Sequence, residues 1–540
     1  MNITETPPDS LNFNTLFTDY LKENPDILEF FRFNPFSEDI ATNAQKQMTF
    51  QGSRPDTVSL LKDFNSRFDP PEIVLSNIRS LENENTYAVV TGQQPMIFGG
   101  TLFTIYKTLT AIIYCKHFSR QTGNHFVPVF WLGDEDHDFD EVAELHLFSQ
   151  SGLNDFKWET QKNRQQRTAD IQLQEDFEDL KKNIKKTLGD TDFTDDLWTT
   201  IENAYSRGTT VGDAFGRLMT QLFGHHGLIL AGSNEPAIKK LCRPVLVTSV
   251  EKQEDIYRSL RETSENLEKT GYHSQVKVQP SNLFRIAEDG SRFKLDVKDG
   301  VWRDDSGNFN NVSQDQLISM IKKDPENFSP NVFLRPLIQD FLLPTIAYVG
   351  GPGEISYYAQ MKEVYEIFDQ TMPAILPRFS CTLVESSIKR ALDSLPFKWT
   401  EYNRRIEDLE SDFVDQSDKP DIESIIGSWK EEVEELTERM KPLVGEIDPT
   451  LENTAGKASA SFFNELDKLK GKMYRSVKEQ EKVQVNRISK VQEALFPNGN
   501  LQEREIAFIY FMNKYGSGIW DDLLEELSEF KPNTHFLIEV

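Results

Sequence analysis

Five short apolar runs, at residues 87–91, 127–132, 228–231, 346–349 and 374–376, each stop at a glycine or a proline. Such runs, too short for a helix and without polar alternation, fit strands buried on both faces. Between the first two, Leu102, Ile105, Leu109 and Ile112 recur at helical spacing, which predicts a helix over about 101–116 with one buried face. Strand, loop, helix and strand in this order predict an α/β fold built on a doubly wound parallel sheet. Ligands of such sheets sit outside the carboxyl ends of the strands. The polar and glycine-rich loops of this chain fall at those ends.

The segments around the sheet differ in kind. Residues 1–80 read as irregular helices, with aromatics such as Phe30, Phe31 and Phe33, packed on the core. Two stretches read as insertions: 145–215, polar and mostly helical, and 270–330, short strands with hairpin turns at Asp289-Gly290 and Asp299-Gly300. From Ile426 the apolar residues Trp429, Val433, Leu436, Met440 and Leu443 step by three and four. Phe462, Leu466, Leu469 and Met473 do the same, and Ile488, Val491 and Leu495 resume the stripe. This predicts an antiparallel helical hairpin turning near Pro449, its second helix continuous over about 457–495, with self-association through it. The expected organisation is a core over 1–384 carrying both insertions, a coiled-coil domain over 385–500, and a segment over 501–540 that returns to the core.

A chain of 540 residues accommodates three or four structural units and buries a sizeable core. With 87 acidic against 59 basic residues its net charge is -28, which excludes a broad nucleic-acid surface but not a local basic pocket. Three widely spaced cysteines, Cys115, Cys242 and Cys381, exclude a disulfide framework and suit a reducing compartment. The start M-N-I-T-E-T-P-P-D-S lacks the basic and apolar parts of a signal peptide, and no apolar run reaches the roughly 18 residues of a membrane span. A soluble cytoplasmic protein is expected.

Three loops carry the chemistry. In T-G-Q-Q-P-M-I-F-G-G-T, Gly99 and Gly100 precede a helix whose free N–H groups suit a phosphate or carboxylate, while Gln93 and Gln94 reach from the strand end. Lys107-Thr108 resembles the end of a P-loop, but Tyr106 stands where that motif needs glycine. In F-W-L-G-D-E-D-H-D-F-D-E, Asp134, Glu135, Asp136, His137, Asp138, Asp140 and Glu141 crowd one strand end, where they can bind a divalent metal, hold an amine or act as general base. Their spacing contains no metal-ligand pair, so no metal site is assigned. The plain alternative is an acidic helix start. In Y-V-G-G-P-G-E, Gly350, Gly351 and Gly353 permit close backbone approach, and Glu354 suits a ribose hydroxyl or an ammonium group. Arg335 and Arg378 lie in apolar surroundings and each requires an anion, from a ligand or from an internal salt bridge.

V-V-T-G-Q-Q-P, P-V-F-W-L-G-D-E-D-H-D-F-D-E and A-Y-V-G-G-P-G-E-I-S-Y-Y, in this order, resemble the bacillithiol-biosynthesis cysteine ligase family, BshC. N-F-S-P-N-V-F-L-R-P-L, M-P-A-I-L-P-R and N-K-Y-G add to the likeness, which runs over essentially the whole chain. The resemblance implies a Rossmann-like core akin to class I aminoacyl-tRNA synthetases, two connecting-peptide insertions and a coiled coil used for dimerisation. It implies addition of cysteine to the amine of glucosaminyl-malate, with ATP and Mg2+ activating the cysteine carboxylate. The synthetase signatures H-I-G-H and K-M-S-K-S are absent, and F-G-G-T-L stands in the first of those regions. Activation as adenylate or as acyl phosphate therefore stays open.

On this reading His137 is the general base for the attacking amine, with Asp134, Asp136 and Asp138 orienting it or binding the cysteine ammonium. Glu135, Gln93, Gln94, Arg335 and Arg378 contact substrates, one arginine taking the malate. Gly92, Gly99, Gly100, Thr101, Gly351, Gly353 and Glu354 line the nucleotide. Two rivals remain: a metal-dependent hydrolase using the acidic cluster, and a non-catalytic nucleotide-binding scaffold.

Overall fold

Strands β1 (Thr86–Gln93), β2 (His125–Leu132), β3 (Ile229–Gly232), β4 (Thr345–Gly350) and β5 (Ala374–Pro377) form one sheet in the order β5-β4-β1-β2-β3. Every neighbouring pair is parallel. The computed structural model describes residues 1–149, 152–160, 166–416 and 420–540. The strand order reverses at β1, which pairs with β2 on one side and β4 on the other. That crevice is the topological switch point of a doubly wound sheet.

Strand residues alternate between two apolar layers, as the two-residue repeat of a strand requires. Ala88, Val90, Val127, Val129, Ile229 and Tyr348 face one layer, completed by Leu16, Tyr20, Leu61 and Ile78 of the N-terminal helices. Val89, Phe126, Ala347, Val349 and Leu376 face the other, against Ala111, Cys115 and Phe118 of α1 (Leu102–Thr122). Helix α1 runs past the predicted Lys116 because Phe118 is still buried, and it ends at Gly123, whose φ of 76° forms a left-handed cap.

The chain divides into two compact units: residues 1–382 with 502–538, and 383–501 with 539–540. Within the first, strands Glu144–Ser149 and Gly152–Lys157 pair antiparallel before the helices that follow, so that stretch is less helical than its polarity suggested. Residues 283–330 form a five-stranded antiparallel sheet. Its turn at Asp299-Gly300 has φ of 51° and 75°, the paired positive values of a tight hairpin.

In the second unit, helices Ile422–Ile447 and Glu452–Gln480 run antiparallel, with Lys430 paired to Asp467 and Lys470 to Glu423. Val414, Ile422, Ile426 and Leu466 form its small core. The second helix is not continuous: it breaks at Glu481 (φ -97°, ψ 21°) and resumes as Lys482–Leu495. Among the described residues no helix is long and apolar enough to cross a membrane. All three cysteines are buried and unpaired.

Candidate active site

At the carboxyl ends of β1, β2 and β4, on the switch point, lies a cavity of about 600 Å³. Gly92, Gln93, Gln94, Glu135, Asp136, Gly351, Gly353 and Glu354 line it, as do Arg335 and Arg378. The ends of three strands thus bring most of the three loops together.

The floor is built around Lys107. One helical turn after Phe103 on α1, it points back at the strand ends. Its Nζ lies 2.5 Å from Glu354 Oε2 and donates to the Gly92 carbonyl at 2.8 Å and to Gln93 Oε1 at 3.1 Å. Glu354 also accepts from the Tyr348 hydroxyl at 2.5 Å and from Gly351 N–H at 2.8 Å. Burial alone would raise the Glu354 carboxyl, but Lys107 and these donors hold it below the usual range. Burial lowers the Lys107 ammonium, with Glu354 opposing it.

The acidic strand end does not converge on one point. Asp134 turns to the β3 loop, accepting from Asn234 N–H at 3.0 Å, and burial beside Glu135 raises its pKa to about 8. Glu135 lies 2.5 Å from Lys239 Nζ and accepts from Ser233 Oγ, also at 2.5 Å. Asp136 accepts from Gln94 Nε2 at 2.7 Å. Asp138 caps the short helix Phe139–Val142 by accepting from Glu141 N–H, the plain role of an acid at a helix start. Glu141, raised by burial and then by Asp136 and Asp138, lines the cavity. Asp134, His137 and Asp138 are not part of the cavity wall. His137 stands behind Asp136, with Nδ1 3.5 Å from Asp136 Oδ1.

The arginines divide into two kinds. Arg378 makes a bidentate pair with fully buried Glu503, at 2.6 and 2.9 Å, so its anion is internal. Ser380 Oγ and Cys381 N–H also donate to Glu503. Arg335, by contrast, has neutral hydrogen-bond partners: Tyr357 OH at 2.9 Å, Gln339 Oε1 at 3.1 Å and Tyr348 OH at 3.5 Å. Arg292 resembles it, donating to Ser329 Oγ and the Pro330 carbonyl, with Asp136 Oδ1 3.8 Å away.

The expected cradle at Gly99, Gly100 and Thr101 lies outside the cavity wall, and protein groups occupy it. Gly99 N–H donates to the Tyr205 hydroxyl, and Leu102 N–H donates to the Ile506 carbonyl at 3.0 Å. Thr101 bridges Ala507. Gly99 and Gly100 have φ of 81° and 83°, and a Cβ would strike Phe508 or Met96, so packing and backbone conformation explain both glycines.

Lys107, Arg292 and Arg504 join the wall beyond the residues assigned to the site from sequence, and Glu141 of the acidic cluster lines it too. Lys107 had a readable signal: it is the one charged residue in 101–115, a buried stretch where an ammonium needs a partner. Arg292 sits in an insertion and had no such signal.

The family model described as the BshC N-terminal Rossmann-like domain of bacillithiol biosynthesis matches residues 1–379. The model of the BshC C-terminal coiled-coil domain matches 381–540. A relative named "Putative cysteine ligase BshC" from Salinibacter ruber is 33% identical over 97% of this chain and 96% of its own. Relatives of the same name from Chlorobaculum tepidum and Bacillus cereus strain Q1 are 33% and 26% identical, over 90% and 96% of this chain and 89% and 97% of theirs. Sheet order, cavity and both domain matches lead to one conclusion: the chain belongs to the BshC family of bacillithiol biosynthesis and is a ligase that forms a carbon–nitrogen bond.

Proposed function

We propose that the cavity joins the carboxylate of cysteine to the amine of glucosaminyl-malate, with ATP as the activating co-substrate. The observation that carries this reading is the contrast between Arg335 and Arg378. A guanidinium in a cavity wall whose hydrogen-bond partners are neutral favours an anion. Arg335 meets that description, so it takes the malate carboxylates or the phosphates, whereas Arg292 has Asp136 Oδ1 3.8 Å away and Arg378 is structural. Asp136 and Glu141, in the same wall, suit the cysteine ammonium and the proton released when the sugar amine attacks. Asp136 therefore takes over the contact assigned from sequence to His137, whose Nδ1 lies 3.5 Å from Asp136 Oδ1.

In this reaction the amine nitrogen attacks the activated cysteine carbonyl, the phosphate-bearing group leaves with its bonding pair, and the amine proton passes to a wall carboxylate. Incubating the protein with cysteine, glucosaminyl-malate and Mg-ATP tests it by mass spectrometry. Bacillithiol with matching AMP supports adenylation, and bacillithiol with ADP supports an acyl phosphate. Bacillithiol in an ATP-free control overturns the ATP requirement, and absence of product with ATP overturns the substrate assignment. We further propose that two copies pair through the hairpin, whose residues Trp429, Leu436, Met440 and Leu443 form an exposed apolar stripe.

A further inference from the structure

His225 and His226, at the 3-10 turn Gly224–His226, lie with ring centroids 4.0 Å apart. Both Nε2 atoms face one carboxylate oxygen, Asp521 Oδ1, at 3.1 and 2.6 Å. Asp521 lies in the first turn of helix Ile519–Leu527, almost three hundred residues later in the chain. The three donor atoms lie within 4.8 Å of one another. None of the three residues lines the cavity.

We propose that His225, His226 and Asp521 bind a divalent transition ion of the zinc class, fastening the C-terminal segment to the core unit. Two imidazoles and a carboxylate are the donor set such ions take, with water in the remaining position. Bonds of about 2.0–2.1 Å in a tetrahedral site separate donors by roughly 3.3 Å. The 3.1 Å pair already has that spacing, and the 2.6 Å pair opens to it by rotation of the half-exposed Asp521 side chain. Ligation requires neutral imidazole. Gly227, with φ of 77°, turns the chain immediately after the pair, and Asn77 holds its carbonyl at 2.8 Å.

The test uses the full-length protein, stripped with a chelator and then freed of it, titrated with Zn2+ by calorimetry at neutral pH. One equivalent per chain is expected, with binding at least about tenfold weaker in His226→Ala and in Asp521→Asn. Circular dichroism confirms that each variant is folded. Thermal unfolding reads the fastening separately: Zn2+ raises the midpoint of the wild type and not of Asp521→Asn, since an ion that binds only the folded state stabilises it. Co2+ provides a check independent of variants, because imidazole ligation gives visible ligand-field bands that Zn2+ abolishes. No binding to the wild type, or equal binding to the wild type and Asp521→Asn, overturns the proposal.

Discussion

Lys107 Nζ and Glu354 Oε2 lie 2.5 Å apart beneath the crevice between β1 and β4, joining α1 to the glycine-rich loop after β4. Removing one member of a buried pair strands the other's charge, at a cost of about 3–5 kcal/mol. Lys107→Met is therefore expected to lower the urea midpoint strongly, and Lys107→Met with Glu354→Gln to recover much of it. Neither restores ligation. Additive losses of stability in the double-mutant cycle would contradict the pairing.

Arg335 and Arg378 line the same cavity but are expected to fail differently. Arg335→Gln removes a charge held by neutral partners and leaves no carboxylate without its cation. Losing one charged hydrogen bond to substrate, about 1.5–3 kcal/mol, raises KM for glucosaminyl-malate roughly ten- to hundredfold with little change in melting temperature. Arg378→Gln leaves Glu503 buried without its cation and melts early. The reverse pattern would exchange their roles.

Asp134 sets a pH dependence of stability. Its folded pKa is about 8 against 3.8 in the free side chain, so between these values the folded chain holds a proton that the unfolded chain has released. Stability thus falls as pH rises through this window, and the contribution vanishes below about 3.8. Asp134→Asn keeps an acceptor for Asn234 N–H and removes the titration. Urea midpoints followed from weakly acid to weakly alkaline pH should decline less in the variant, and parallel curves would refute the assignment.

The hairpin presents Trp429, Leu436, Met440, Leu443 and Ile447 on one face, and Ile447 is 82% exposed. Leu436→Glu with Leu443→Glu is expected to convert a dimer to a monomer in sedimentation equilibrium, without changing the thermal midpoint of the sheet-bearing unit. A wild-type monomer would remove the hairpin from any role in self-association.

The five strands were legible because burial on both faces leaves a local mark, an apolar run without alternation that stops at a turn residue. The hairpin was legible for a similar reason, its stripes repeating at helical spacing. Its break at Glu481 was not, because the apolar stripe resumes beyond it at Ile488. At Gly99 and Gly100 the sequence left two readings, because a tight turn packed on Phe508 and Met96 carries the same residues as an anion cradle.

The sequence by itself determined the strands, the alternation with helices, the hairpin and the loops from which the cavity is built, since each is a matter of residues a few positions apart. Tertiary structure alone decided that β4 inserts beside β1 to open the crevice. It also decided that Glu503 neutralises Arg378 while Arg335 keeps neutral partners, and that Lys107 supports the floor. The two ion pairs depend on which charge meets which across more than a hundred residues of chain. A buried charge is satisfied by whatever the fold brings within hydrogen-bonding distance, and its own neighbours in sequence do not record what that is.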